Sequence, residues 1–317
     1  MDILFVADPL EDFKTYKDTT FSMMREAQRR GHRIVACEPR HITWRSGELV
    51  HAMVREIALT GELDRWFSET ATGARALKDF GAVIMRKDPP FDSEYFYATH
   101  LLEQAEREGA RVFNKPAALR DHPEKLAIME FAQYVSPTLV TRDPGEVRRF
   151  HEVHGDIILK PLDGMGGMGI FRVGPDGLNL GSIVETLNQQ GSVTLMVQRF
   201  VPEIAQGDKR VLVIGGEPVP YSLARIPQGS EIRGNLAAGG KGVAQPLSER
   251  DYEIARAIGP VLARRGLLLI GLDVIGDWLT EINVTSPTCF QEITQQAGFD
   301  VPKMFVDALE QAVSARA

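Results

Sequence analysis

The sequence predicts an α/β protein that opens on a doubly wound parallel sheet and continues into two smaller α+β units. Three observations carry this reading. Strand-like and helix-like stretches alternate from Asp2 to Phe113. Beyond His122 the pattern changes to short strands separated by glycine turns, and a length of 317 residues exceeds what one hydrophobic core usually organises.

Asp2 to Val6 is an apolar strand, Thr20 to Arg30 has helical periodicity, Gly31 stops it, and Arg33 to Cys37 is again strand-like. Gly81 to Met85, the helical stretch Tyr95 to Arg107 and Val112 to Phe113 repeat that βαβ unit, which requires parallel strands up to about Asn114. A helix is expected around Glu124 to Gln133. Strands at Asp156 to Lys160, Ile170 to Val173 and Thr194 to Gln198 fit a small antiparallel layer covered by a helix at Leu180 to Gln189. The last unit holds strands at Arg210 to Ile214, Val219 to Arg225, Leu267 to Val274 and Leu279 to Val284, with helices at Glu249 to Arg265 and Pro302 to Arg316.

Composition narrows the function classes. With 44% hydrophobic and 25% charged residues the chain can fill a large core. A net charge of -7 disfavours a nucleic-acid partner, which demands clustered, uncompensated Lys and Arg. Apolar runs such as Gly266 to Leu272 fall well short of the roughly 20 residues that span a bilayer. Met1 leads straight into a strand, without the pattern of a secretion signal, and the two cysteines, Cys37 and Cys289, have no CxxC or metal-type spacing. A cytoplasmic protein without a membrane partner is therefore expected, and both thiols read as buried small hydrophobes.

Gly164-Met-Gly-Gly-Met-Gly169 satisfies GxGxxG, yet it runs into the strand Ile170 to Val173 and the turn Gly174 to Gly177. A dinucleotide fingerprint needs a helix there, so that reading fails. Gly234 to Lys241 has neither the spacing nor the Ser or Thr of a Walker A loop. What remains is a hairpin tip with four glycines beside Lys160, able to close its amides over phosphates. The alternative is a plain mobile turn.

The stretch Gly271 to Val284 reads as a hairpin turning at Gly276-Asp277. If Leu272, Val274, Ile282 and Val284 share the buried face, Asp273 lies opposite Glu281, and Asn283 shares their face. That parity calls for an odd-numbered loop, most simply Gly276 to Trp278. Two carboxylates and an amide oxygen on one face form a hard-cation site suited to Mg²⁺ or Mn²⁺ bridging phosphates. A solvated sheet face is the bland alternative.

Between these sites runs a basic series, Lys209, Arg210, Arg225, Arg233 and Lys241. Arg210 and Arg225 begin and end a hairpin turning at Gly215-Gly216, which brings both to one cleft edge. Ile226 to Gly242, with five glycines and little periodicity, reads as a flap or as a disordered insertion. His151 and His154 read as a surface pair. No GxSxG or Cys/His arrangement argues for a covalent nucleophile.

Lys125, Lys160, the 164–169 loop, Arg225, Asp273 and Glu281-Ile282-Asn283 stand in the order found in ATP-grasp ligases, and the chain resembles that superfamily. The segments Met85 to Asp92, Ile158 to Gly167, Ala224 to Gly229, Arg233 to Gly240 and Leu279 to Thr288 resemble those of the bacterial glutathione synthetases. Met168-Gly169 departs from some relatives, which carry other small residues there.

The resemblance implies an N-terminal substrate domain over 1–122 and a two-part ATP-grasp fold, a lid over 123–199 and a catalytic part over 200–317. It implies ATP between the last two, with Lys125, Lys160, Gly164, Gly166 and Gly167 on the phosphates. Gln198, Phe200 and Val201 would then form the hinge at adenine, with Asp208 beside it. Asp273, Glu281 and Asn283 would hold two Mg²⁺ or Mn²⁺ ions. Lys160, Arg210 and Arg225 carry the catalytic charge in this picture, and Arg86, Arg210, Arg233, Asn235, Ser286 and Thr288 take the substrates. The implied reaction phosphorylates the carboxylate of γ-glutamylcysteine and lets glycine attack the acyl phosphate, in a homotetramer. The rivals are another ATP-grasp ligase, such as a D-alanine:D-alanine or glutamate-adding enzyme, and a synapsin-like nucleotide-binding regulator. The flanking segments argue against the first, and the intact Asp273, Glu281 and Asn283 against the second.

Overall fold

A computed structural model describes residues 1–62, 65–229, 231–236 and 239–315. Ser230, Ala237 and Ala238 of the expected flap, and the Arg316 end of the last expected helix, lie outside the described residues.

The first part contains β1 (Asp2–Val6), α1 (Thr19–Arg29), β2 (Arg33–Cys37), β3 (Ile42–Thr43), β4 (His51–Leu59), β5 (Phe67–Ala76), β6 (Ala82–Met85), α2 (Ser93–Arg107), β7 (Val112–Phe113) and α3 (Pro116–Asp121). Its sheet runs β3-β4-β2-β1-β6-β7, with β5 added on β4. The pairs β1–β2, β1–β6 and β6–β7 are parallel, as the alternating pattern requires. The sheet is mixed rather than wholly parallel, because β4 pairs antiparallel with β2, β3 and β5. Local chemistry sets the helix ends: the Asp18 side chain accepts the Phe21 N–H at 2.7 Å, and Gly31 at φ +81° ends α1.

Residues 127–134 form a 3-10 turn, not the expected α-helix, because Phe131 leaves helical geometry at φ −118°, ψ 39°. Ile128 and Phe131, three apart, are the buried pair, and i, i+3 is the spacing that such a turn aligns. A four-stranded sheet follows in the order β10-β9-β11-β8. It comprises β8 (Thr138–Thr141), β9 (Ile157–Pro161), β10 (Phe171–Val173) and β11 (Leu195–Arg199), covered by α4 (Pro144–His154) and α5 (Leu180–Asn188). All of its ladders are antiparallel.

The last sheet runs β14-β13-β12-β15-β16. Its strands are β12 (Asp208–Ile214), β13 (Glu217–Ile226), β14 (Lys241–Pro246), β15 (Leu269–Ile275) and β16 (Trp278–Asn283). The helices α6 (Glu249–Arg264), α7 (Phe290–Ala297) and α8 (Val301–Ser314) pack on it. No helix among the described residues is long and apolar enough to cross a membrane.

Two apolar cores draw on both the first and the last sheet: Leu4 and Val6 with Leu272 and Ile282, and Ile3 and Phe5 with Leu212 and Ile214. Asn114 rivets the same two sheets. Its buried amide donates to the carbonyls of Leu269 and Val284 at 2.8 Å each and accepts the Leu269 N–H at 3.0 Å. The four-stranded sheet has a core of its own, built from Val147, Ile157, Leu159, Val173, Val184, Leu195 and Val197. Cys37 and Cys289 are buried, as expected. His151 Nε2 donates to Gly174 O and His154 packs on Phe150, so both histidines have structural partners.

Candidate active site

The three sheets enclose a cavity of about 490 Å³. Every residue that the resemblance assigns to the site lines it except Arg86, whereas Lys209 and Lys241 of the basic series do not. The β15–β16 hairpin supplies its floor. Asp273 stands opposite Glu281 and Gly271 opposite Asn283, the register the apolar alternation demanded. The loop differs from the expected one. Ile275 pairs with Trp278 across a two-residue turn, and the odd parity comes from a bulge in which Thr280 is left unpaired between Leu279 and Glu281. The Thr280 hydroxyl donates to Asp273 O at 3.1 Å and ties the bulge down.

Asp273 is 4% exposed and sits between two guanidiniums. Arg210 Nε and Nη2 reach its oxygens at 2.6 and 3.2 Å, and Arg225 Nη2 at 2.9 Å. Burial opposes ionisation of this carboxyl, yet the two arginines outweigh it and hold the group well below the usual carboxylate range. Arg225 also binds Asp208, whose carboxyl is pushed up to about 6, chiefly by burial. Glu281 is more open and meets Lys125 Nζ at 3.4 Å. Asn283 turns its Nδ2 to Gly271 O at 3.4 Å, which leaves Oδ1 as an acceptor. The donor set is thus all oxygen, two carboxyl groups and an amide oxygen, and fits a hard divalent cation.

Next to this floor lie the lysines and the glycine loop. Lys160, on β9, is 6% exposed and points its ammonium at Thr280 O, 3.3 Å away. Burial pushes its pKa down, against the pull of Glu281. Lys125 donates to Gly164 O at 2.6 Å, so it holds the loop's first residue. The loop leads into β10 and no helix follows, which confirms the exclusion of a dinucleotide fingerprint. Gly167 has φ +83°, and a Cβ there would lie 2.7 Å from Asn235 Oδ1. Arg233 Nη1 donates to Gly167 O at 3.4 Å, so Arg233 and Asn235 of the flap sit directly on the glycine loop.

At the far end Gln198 is the last residue but one of β11, and Phe200 and Val201 lead toward the last sheet. The Phe200 amide donates to Asp156 O at 2.9 Å, and the Arg172 guanidinium stacks 3.8 Å from its ring centroid. Ile158, Ile204 and Ile275 give this end apolar walls. On the N-terminal side the Ser286 hydroxyl donates to Asp88 at 2.6 Å, and Thr288 lies 3.7 Å from the Cys289 sulfur. Arg86 is buried beneath this loop rather than in the cavity: it donates to Thr20 Oγ1 at 3.0 Å and to Pro287 O at 3.1 Å.

Glu124 escaped the sequence reading. One of its oxygens accepts the N–H of Val284 at 2.8 Å, the N–H of Thr285 at 3.0 Å and the Thr285 hydroxyl at 2.8 Å. It anchors the chain just beyond Asn283. Burial pushes its carboxyl up, and the charge of Glu281 adds to the effect. Nothing but its place before Lys125 distinguishes it in the sequence.

A family model described as the ATP-grasp domain of prokaryotic glutathione synthetase matches residues 124–298, and one described as the N-terminal domain of the same synthetase matches residues 1–120. The chain belongs to the prokaryotic glutathione synthetase family. It is similar to the glutathione synthetase of Ralstonia nicotianae, with 61% identity over 312 residues, covering 98% of this chain and 96% of the relative. The glutathione synthetase of Nitrosomonas europaea is 51% identical over 317 residues, covering 99% of each. Among solved structures, D-cycloserine synthetase DcsG matches with a TM-score of 0.67 at 15% identity, over 99% of this chain and 100% of that one. The ATP-grasp ligase PsnB, complexed with minimal precursor, matches with a TM-score of 0.62 at 20% identity, over 98% and 99%. At such identities the structural neighbours show the fold, which is that of ATP-grasp ligases. Membership of the glutathione synthetase family makes this protein an ATP-dependent ligase.

Proposed function

We infer that the protein joins γ-glutamylcysteine to glycine through an acyl phosphate formed with ATP, using the cavity between its three sheets. The observation that carries this is the convergence, in one cavity, of two lysines, a glycine loop, two arginines and an all-oxygen face in a chain of this family.

In this reading 1–122 is the substrate domain, 123–199 the lid and 200–317 the catalytic part. The base of ATP lies at Gln198, Phe200 and Val201, with Asp208 beside it, and its phosphates lie under Gly164, Gly166 and Gly167, against Lys125 and Lys160. Asp273, Glu281 and Asn283 hold Mg²⁺ or Mn²⁺, two ions by family likeness, which supply charge neutralisation at phosphate oxygens. Lys160, Arg210 and Arg225 neutralise the transferring phosphoryl group and the developing acyl phosphate. A carboxylate oxygen is a poor leaving group and a phosphate a good one, so no protein nucleophile is needed. Arg233 and Asn235 close over the phosphate loop and exclude water. Ser286 and Thr288 orient the peptide carboxylates, and Arg86 acts through the Pro287 carbonyl it holds. Cytoplasmic location and a homotetramer belong to the same reading.

Phosphate release is measured with ATP, Mg²⁺ and γ-glutamylcysteine, with and without glycine. Glycine-dependent release with formation of glutathione is expected. Release that ignores glycine, or that D-alanine stimulates better, would sink the assignment.

A further inference from the structure

The wall at the hinge end of the cavity is built from facing residues of three strands: Thr138 on β8 opposite Gln198 on β11, and Gln198 opposite Ile158 on β9. Gln198 is 5% exposed and lines the cavity with Ser136 and Ile158. The Thr138 hydroxyl lies 2.8 Å from Ser136 O and 3.0 Å from Gln198 Nε2. A hydroxyl has a single proton, and a carbonyl oxygen only accepts, so that proton is committed to Ser136. Toward Gln198 the hydroxyl must therefore accept. The amide atom beside it is the nitrogen, and Oε1 is the end of the amide left for the cavity.

Lys160 lies two residues along β9 from Ile158, on the same face and about 7 Å farther toward the glycine loop. A nucleotide with its phosphates at Lys160 thus brings its base to the row of Ile158 and Gln198. We propose that Thr138 is a positioning residue that presets the Gln198 amide as an acceptor, so that the site selects a purine bearing an exocyclic amino group over one bearing a keto group. An amino group donates to Oε1. A keto oxygen meets a second acceptor and leaves both unsatisfied. The Ser136 hydroxyl on the same wall is buried and has no hydrogen-bond partner among the described residues, so a base edge meets further polar capacity there. The inference rests on the proposed placement of the base at the hinge.

The test compares kcat/KM for ATP and for inosine triphosphate, which differ in that group, at saturating γ-glutamylcysteine and glycine. Thr138→Val removes the hydroxyl at nearly constant shape and frees the amide to present either end. The ratio of inosine triphosphate to ATP efficiency then rises about tenfold, through nucleotide KM rather than kcat. Thr138→Ala, a second variant without the hydroxyl, shifts the ratio the same way, and Thr138→Ser restores it. An unchanged ratio in the Val and Ala variants, or a Ser variant that behaves like them, overturns the role of Thr138. Phe200→Ala separates this from the underlying placement. If ATP KM is unmoved in that variant, the base is not at the hinge; if it rises while the Thr138 variants keep the parental ratio, the placement stands and the relay falls.

Discussion

Asp273 and Glu281 face each other across one hairpin but are held so differently that removing each charge should separate folding from catalysis. Asp273→Asn takes the negative charge from a carboxylate that is 4% exposed and bound by both Arg210 and Arg225. Breaking a buried pair by removing one partner costs about 3–5 kcal/mol, because the remaining charge is left uncompensated. Asp208 still neutralises part of Arg225, which places the cost near the lower bound, ~3 kcal/mol. With a urea dependence of ~3 kcal/mol per molar for a chain of this size, the midpoint falls by roughly 1 M. Glu281, whose side chain is 21% exposed, makes a single 3.4 Å contact with Lys125 and repels the buried Glu124, so losing its charge forfeits one contact and relieves one repulsion, a net of ~0–1 kcal/mol. Glu281→Gln should therefore melt within about 0.3 M of the parent, from the same two magnitudes, while turnover falls by ~10²–10³ or more through loss of charge stabilisation. The assay is urea unfolding followed by far-ultraviolet circular dichroism without nucleotide or metal, paired with steady-state phosphate release. Near-normal turnover in Glu281→Gln would refute the metal role, and an Asp273→Asn variant as stable as the parent would refute the buried-pair argument.

Three further outcomes are expected. Gly167→Ala forces a Cβ to 2.7 Å from Asn235 Oδ1 at φ +83°, a strain of ~1–2 kcal/mol that should raise ATP KM roughly tenfold and lower the urea midpoint by about 0.3–0.7 M. Glu124→Ala strips the acceptor from the Val284 and Thr285 amides and the Thr285 hydroxyl and should destabilise by ~3 kcal/mol, whereas Glu124→Gln keeps an oxygen there and should lose less than half as much; equal losses in urea melts would contradict this. Burial pushes the Cys37 thiol up to about 12 and raises Cys289 as well, so at pH 8 only ~1 in 10⁴ of the Cys37 groups is thiolate. The folded protein should consume almost no Ellman's reagent within minutes and two equivalents after denaturation.

The core of the site was legible because it depends on alternation and spacing. Leu272, Val274 and Ile282 could only be buried together if Asp273 met Glu281, and the strand after Gly169 was enough to discard a dinucleotide loop. The bulge at Thr280 was not legible, since an extra residue within a strand and an extra residue in a loop change parity alike. The β4–β5 hairpin was missed because Ser68 to Arg75 carries almost no apolar signal: its side chains face solvent, and backbone pairing to β4 holds it. β8 was missed for a related reason, as Thr138 to Thr141 is half-buried on both faces. The 3-10 turn at 127–134 imitated a helix because Ile128 and Phe131 are as compatible with three residues per turn as with 3.6. Glu124 and Thr138 act through hydrogen bonds to partners 160 and 60 residues away, and local sequence holds no trace of such pairings.

The separate core of the four-stranded sheet has a mechanical consequence. The first and last sheets share apolar packing and the Asn114 rivet, so they cannot part without exposing what holds the molecule folded. The small sheet keeps Leu159, Val197 and their neighbours packed on α4 and α5, and it joins the shared core through Met196, with Val140 packed against that core. Across the cavity it also makes polar bonds, Lys125 to Gly164 O and Lys160 to Thr280 O among them. Those are the same ammonium groups that a triphosphate would claim. In the proposed placement of the phosphates, nucleotide arrival is an exchange of partners, in which the two ammonium groups trade these internal contacts for contacts to the substrate.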